Sequence, residues 1–348
     1  MAVNTGLAHL SDGLFTTAIA TYSLAMACYT AEYAFGRRGR VAATSQVSAP
    51  ARVLVGAGGP AIDAPTAPVP PTDSGFGHSD GPAPSERPKA NRGELLGRIA
   101  VLLTIVGVLV HGGSIALRGI AADRVPWGNM YEFSAVVGFV AVAAFLGALW
   151  RAPQIRYLGV FVMLPVILLM FLAGTVLYAK DAPLVPALQS YWLAIHVTAA
   201  ASSEGILVTS AVFTMLFLIR QRYEAVSAAG GRLRFPVTIG ARLPSPETLD
   251  KVAYRTVAFA FPIYTFGVIA GAIWAEAAWG RYWGWDPKET WAFIAWVIYA
   301  AYLHARATAG WKGRSAAWIN LLGFSSMTFN FFVVNMVISG LHSYAGLN

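Results

Sequence analysis

Thirteen consecutive residues, WGRYWGWDPKETW at 279–291, hold Trp279, Trp283, Trp285 and Trp291 together with Tyr282. Flat aromatic rings this closely spaced make a surface suited to a large, planar, apolar ligand. Taken singly, each tryptophan reads as a member of the aromatic belt at a membrane interface. Four together exceed what a belt requires. Asp286 within the same stretch has the sequence of a helix start, with Pro287 at the first helical position and Glu289 three residues beyond the cap. A structural cap there would also fix the exit angle of the loop. Of six histidines, His111, His196, His304 and His342 fall in apolar segments. Ionisable side chains are costly in such segments and mark function or a hydrogen-bonded packing role. Counting helical rise from Ser190 places His196 roughly 9 Å below the outer end of its segment. Counting from Ala316 places His342 roughly 39 Å along, at the same outer level. Two imidazoles at one depth can coordinate a haem iron from opposite faces. His304 lies roughly 26 Å beyond Pro287, near the inner end of its segment. His111 reads as a packing or polar-network residue.

These side chains need membrane helices to hold them. The 348 residues are 56% hydrophobic and only 12% charged, about half the usual charged share of a soluble chain. Eight apolar runs, 14–35, 97–118, 132–150, 157–178, 191–219, 254–275, 289–305 and 316–341, are long enough to span a bilayer. In lipid such runs must close their own backbone hydrogen bonds. The expectation is an all-α integral membrane protein, an eight-transmembrane-helix bundle. All but five of the 25 Lys and Arg residues, namely Arg118, Arg124, Lys180, Arg281 and Lys288, fall in segments on one side of that arrangement. The positive-inside rule then places both termini on the extracytoplasmic side, and accounts for the basic excess with no nucleic acid as partner. Residues 1–38 read as a retained first helix, because no Lys or Arg precedes its apolar run. Residues 39–92, rich in Ala, Pro, Gly and Ser, read as a disordered cytoplasmic linker. Residues 93–348 read as a seven-helix domain carrying the tryptophan loop at about 276–291. Cys28 is the single cysteine, so a disulfide or CxxC centre within the chain is excluded and any thiol chemistry uses thiols of a substrate.

The segment WGWDPKETW resembles the tryptophan-rich "WWD" signature of the haem-handling proteins, a group that includes CcsA/ResC, CcmC and CcmF. A second segment, VPWGNMYEF at 125–133 with Trp127, is similar to an outer-loop motif of the CcsA type. With the order of the histidines, the resemblance covers nearly all of 95–348 and points to the CcsA/ResC type of system II cytochrome c biogenesis. The resemblance implies that His196 and His342 flank the tryptophan surface as axial ligands of an external haem. His304 then supplies one ligand of a haem within the membrane, opposite a ligand from a CcsB/ResB-like partner. It implies haem b as cargo and apocytochrome c as substrate. The implied activity is a cytochrome c haem-lyase (holocytochrome c synthase) in the plasma membrane, joining the CxxCH cysteines to the haem vinyl groups on the extracytoplasmic face. Trp127, Trp279, Trp283, Trp285, Asp286 and Trp291 form the surface against that haem, with Arg118 and Arg124 as candidate partners of its propionates. Two alternatives stay open: a CcmC-like haem exporter or chaperone without ligase activity, and a solute transporter or quinone-linked electron carrier, which leaves the tryptophan motif unexplained.

Overall fold

The computed structural model describes residues 4–36, 92–180, 188–308 and 310–342. Among these every regular element is a helix. Helix α1 is Thr5–Phe35, α2 Arg92–Ala122 and α3 Met130–Arg151. A 3₁₀ turn, Pro153–Leu158, leads into α4, Gly159–Thr175. Then come α5 Tyr191–Ala228, α6 Pro246–Trp279, α7 Pro287–Ala307 and α8 Arg314–Phe329, which continues into a π turn, Asn330–Val334. Seven of the spans are long and apolar enough to cross a membrane. The chain is a multi-pass helical membrane protein. Helix α7 is not among those seven, because its 21 residues carry Lys288, Glu289 and Arg306 at their ends. The expected linker, apart from Arg92, lies outside the described residues.

Side-chain caps set several of the helix starts. Asn4 accepts from Leu7 N at 3.2 Å, Asn129 from Glu132 N at 2.9 Å, and Ser190 from Trp192 N at 3.2 Å. Each satisfies one of the donors that a first helical turn leaves open. Helix α1 packs along α2, and α5 along α6, while α3 joins the two pairs. One core gathers Tyr22, Tyr29, Phe145, Met163 and Phe213, and a second, among α5 to α8, gathers Tyr264, Tyr299, Tyr302 and Met327.

The seam between α3 and α5 depends on a missing side chain. A Cβ on Gly205 would lie 2.6 Å from the Val137 carbonyl oxygen and 2.8 Å from Val140 Cβ. Backbone cannot yield as a side-chain tip can. Gly205→Val is therefore expected to cost about 1–3 kcal/mol through overpacking, read as a lower thermal midpoint of the detergent-solubilised protein. An unchanged midpoint would mean that the two helices do not approach this closely.

Charge separates along the bundle. At one end Glu132 is the hub: Arg124 meets it at 2.8 and 2.9 Å, Arg118 Nε at 3.2 Å, and Gly128 N donates to it at 2.7 Å. Arg118 also reaches Asp12 at 3.4 Å and the carbonyl of Ala179. At the opposite end Arg156 pairs with Glu32, Arg220 donates to Gly240 O, Arg242 donates to Tyr33 O and Ala34 O, and Arg306 pairs with Asp250 at 2.6 Å. Both outermost described segments lie at the Glu132 end, since Asn4 N donates to Ala121 O and residues 341–342 bond Asp286.

Candidate functional site

A cleft with an empty volume of about 1270 Å³ opens at the Glu132 end, among α3, α5, α6, α7 and α8. Its wall is largely apolar and aromatic: Trp127, Phe133, Trp274, Tyr282, Trp283 and Phe331 all face it. Both His196 and His342 line it.

His196 sits in the second turn of α5. Its Nδ1 lies 2.8 Å from Gly267 O on α6. A carbonyl only accepts, so Nδ1 carries the proton and Nε2 keeps its lone pair. The ring lies parallel to Trp274, with centroids 5.9 Å apart and planes 10° apart. Room for it comes from Gly271, where a Cβ would stand 2.7 Å from the imidazole Cε1 and Nδ1. Gly271→Ala is therefore expected to turn His196 out of its place while the bundle stays folded. Spectroscopy of whatever ligand the imidazole holds should show this as a loss of about tenfold or more in affinity. Unchanged affinity would show that His196 does not need this register.

His342 reaches the same wall from another element. Against the expectation of one helix over 316–341, α8 converts to a π turn at 330–334, and the chain leaves the helix after Met336. Residues 337–342 then fold over the start of α7. Leu341 N donates to Asp286 Oδ1 at 2.7 Å, and His342 Nδ1 lies 2.8 Å from Asp286 Oδ2. Here too Nε2 is left with the lone pair. The His342 ring contacts Trp279 at 4.8 Å and Trp274 at 5.3 Å, so Trp274 touches both imidazoles.

Asp286 is the hinge of this arrangement. It caps α7, with Glu289 closing a capping box through bonds from Gly284 N at 2.8 Å and Asp286 N at 3.1 Å. Burial alone would push the Asp286 carboxyl up, but the Leu341 and Lys288 amides and His342 outweigh it and hold the group below its ordinary value. His342 is pushed down to about 4, first by burial and further by the Lys288 charge, against the opposing pull of Asp286. At neutral pH His342 is thus a neutral imidazole, the form that can bind a metal.

The remaining tryptophans divide. Trp283 lines the cleft, and Trp279 backs it through Trp274 and His342. Trp285, at φ 57° and 65% exposed, stands on the rim against Trp283 and Phe293. Trp291 packs on Phe329 at 4.2 Å, away from the cleft. His304 is exposed in the last turn of α7, two residues from the Arg306–Asp250 pair, at the far end of the bundle. His111 is fully buried between α1 and α3 against Tyr22, Phe15 and Phe139, and takes no part in the cleft. Arg118 and Arg124 are held by Glu132 and do not line the cleft either.

The structure adds residues that the motifs did not point to. Trp274 is 1% exposed and lies just before the tryptophan window. Glu204 and Lys288 both face the cleft, with Asn330 and Asn335 from the π turn region beside them. Glu204 stands in the middle of the apolar helix α5, and that alone marks it as an intramembrane ionisable residue. Trp127 Nε1 and Asn330 Oδ1 are buried without a hydrogen-bond partner among the described residues. Such groups are expensive unless something completes them.

Fold and site together define a polytopic membrane protein with an aromatic cleft at one end, carrying two imidazoles with free Nε2 atoms. Residues 127–342 match the family model described as cytochrome C assembly protein, an interval that starts at Trp127 and ends at His342. The relatives include the cytochrome c biogenesis protein CcsA of Gloeobacter violaceus, 36% identical over 300 residues, covering 73% of this chain and 88% of the relative. CcsA of Pyropia yezoensis is 34% identical over 282 residues, 72% of this chain and 88% of the relative. CcsA of Guillardia theta is 44% identical over a shorter stretch of 177 residues, 49% of this chain and 59% of the relative. The chain belongs to the cytochrome c assembly protein family and is a CcsA-type cytochrome c biogenesis protein.

Proposed function

We propose that this chain holds haem b in the cleft through His196 and His342 and presents it to apocytochrome c for covalent attachment, acting with a CcsB/ResB-like membrane partner. The observation that carries the reading is the paired tautomer lock. Each imidazole has Nδ1 bonded at 2.8 Å, one to a backbone carbonyl and one to a carboxylate, which leaves both Nε2 atoms for a metal. The donor set fits haem: two imidazoles for the iron, aromatic rings for the macrocycle, and polar atoms without partners for its polar edge.

Haem contributes an iron for axial ligation and two vinyl groups, across each of which a substrate Cys S–H adds, sulfur to one carbon and hydrogen to the other, giving a thioether. The chain's part is to bind and orient. Trp274 keeps the two imidazoles against one wall, Trp283 and Tyr282 shield the cleft, and Trp285 stands where a peptide would arrive. Holding the reacting groups in register is itself a large catalytic contribution. The histidine of the substrate CxxCH replaces one imidazole, and His342 suits that exchange because it sits on a terminal turn and not within a helix.

In this reading the chain crosses the plasma membrane eight times. Helix α7, at about 1.5 Å per residue, is roughly 32 Å long and adequate for the eighth crossing. The arginine-rich end of the bundle faces the cytoplasm and the cleft faces outward, with both termini outside. His304 lies toward the cytoplasmic end, exposed to a partner that would complete a second haem site.

The test is co-expression with a CcsB-like partner and an apocytochrome bearing CxxCH, followed by denaturing electrophoresis with haem staining. Haem covalently bound to the cytochrome is the expected result. A complex with haem absorbance but no covalent product would leave a haem exporter or chaperone. A colourless complex would remove haem from the reading.

A further inference from the structure

Lys288 occupies a position that local physics disfavours twice. It lies in the first turn of α7, where the helix macrodipole repels a cation. Its side chain then turns into a largely apolar cleft, where an ammonium group loses hydration. The structure nevertheless fixes it there. Its Nζ donates to Asn335 Oδ1, and its carbonyl accepts from Asn330 Nδ2 at 3.3 Å, so both anchoring amides come from the π turn region of α8. A π turn inserted in a helix is itself an uncommon element that gathers at functional sites. Among the described residues that line the cleft, Lys288 is the one Lys or Arg. Glu204 and Glu289 also line the cleft, but among the described residues Nζ makes one hydrogen bond, to Asn335, so two of its three N–H donors are unused.

We propose that Lys288 is the seat for a carboxylate of the bound cargo, which in the haem reading is a propionate, and that it sets which edge of the macrocycle points inward. The inference rests on haem being the cargo of this cleft. Arg118 and Arg124 are unsuited to the task because they do not line the cleft and their guanidinium groups are engaged, Arg118 by Glu132, Asp12 and Ala179 O and Arg124 by Glu132 and Val125 O. An ammonium group on one side of the cleft makes the site asymmetric. A macrocycle that places its acid edge there turns its vinyl edge away from Lys288. Lys288 is thus a positioning residue for the attachment reaction.

The experiment uses the purified complex with its partner, stripped of endogenous haem and titrated in detergent with haem and with haem dimethyl ester, following the Soret band. Wild type is expected to favour free-acid haem by about tenfold or more, the size of a charge-assisted hydrogen bond. Lys288→Gln should remove that preference while leaving the diester affinity unchanged, and Lys288→Arg should keep most of it. Equal binding of both porphyrins by wild type would overturn the assignment while leaving haem as cargo. A Lys288→Gln variant weakened equally toward both would also overturn it, since that is the mark of a merely structural lysine. If neither porphyrin shifts the Soret band, the haem reading falls and takes this one with it.

Discussion

His196→Ala and His342→Ala are each expected to convert the complex from low-spin to high-spin haem absorption and to lower its haem content at least about tenfold, given that even outer-shell changes at metal sites cost about that much. The two rings are held by unrelated elements, one on the second turn of α5 and one on the turn beyond α8, yet both contact Trp274. Each substitution removes one imidazole and leaves a space of its shape beside an otherwise intact wall. Free imidazole should therefore refill the space and restore the low-spin bands in both variants. The double variant should lose the bands altogether and recover poorly, because two mobile ligands must then be ordered at once. His111→Ala is the contrasting case: it empties a packed site against Tyr22, Phe15 and Phe139 and should lower stability without changing the spectrum. Reduced absorption spectra of the purified complexes check all of these. Unaltered bands in either single variant would remove that histidine from the ligand pair.

Much of the fold was legible from hydropathy, because membrane helices announce themselves by long apolar runs. Seven of the eight expected runs coincide with spans able to cross a membrane, and the eighth, α7, forms as a helix with the capping box that WDPKE implied. The end of the last helix was not legible. The run at 316–341 is predominantly apolar, yet within it Asn330 and Asn335 bond backbone and Lys288, and a π turn forms between them. Periodicity does not encode a one-residue insertion in a hydrogen-bond ladder. His342 consequently joins His196 at the cleft from a turn beyond α8 and not from the helix itself. The tryptophan cluster was legible as a cluster, but its partition was not. Trp283 lines the cleft and Trp291 packs on Phe329 because they lie on opposite sides of the Asp286 cap, a matter of tertiary geometry. Trp274 was missed because it belongs to α6 and precedes the loop. Glu204 and Lys288 carry a signal in the sequence, as ionisable groups within or next to apolar segments.

Asp286→Asn should reproduce the spectrum of His342→Ala at a modest loss of stability, and this single exchange tests whether the carboxylate sets the tautomer of His342. The carboxylate accepts from Leu341 N at 2.7 Å through Oδ1 and from His342 Nδ1 at 2.8 Å through Oδ2. Asparagine has one oxygen and one NH₂ group. With its oxygen kept on the Leu341 amide, it presents N–H to His342 Nδ1, which must then accept. The proton moves to Nε2, and the imidazole loses the lone pair that faces the cleft. Ligation through His342 should fall about 10–100-fold, the usual cost of a lost outer-shell partner, and the Lys288 amide, which bonds the same Oδ2 at 3.3 Å, loses its cap acceptor at a cost of about 1 kcal/mol. Asp286→Ala goes further. It removes the cap, worth about 1 kcal/mol, and the bonds from Leu341 and His342, charge-assisted and worth about 1.5–3 kcal/mol each. The 337–342 turn should then detach from α7, and the thermal midpoint should drop along with haem content. Comparing the two variants by absorption spectrum and thermal midpoint decides the matter. A wild-type spectrum in Asp286→Asn would mean that the tautomer of His342 is not what makes it a ligand, and the carboxylate would be left with the cap alone.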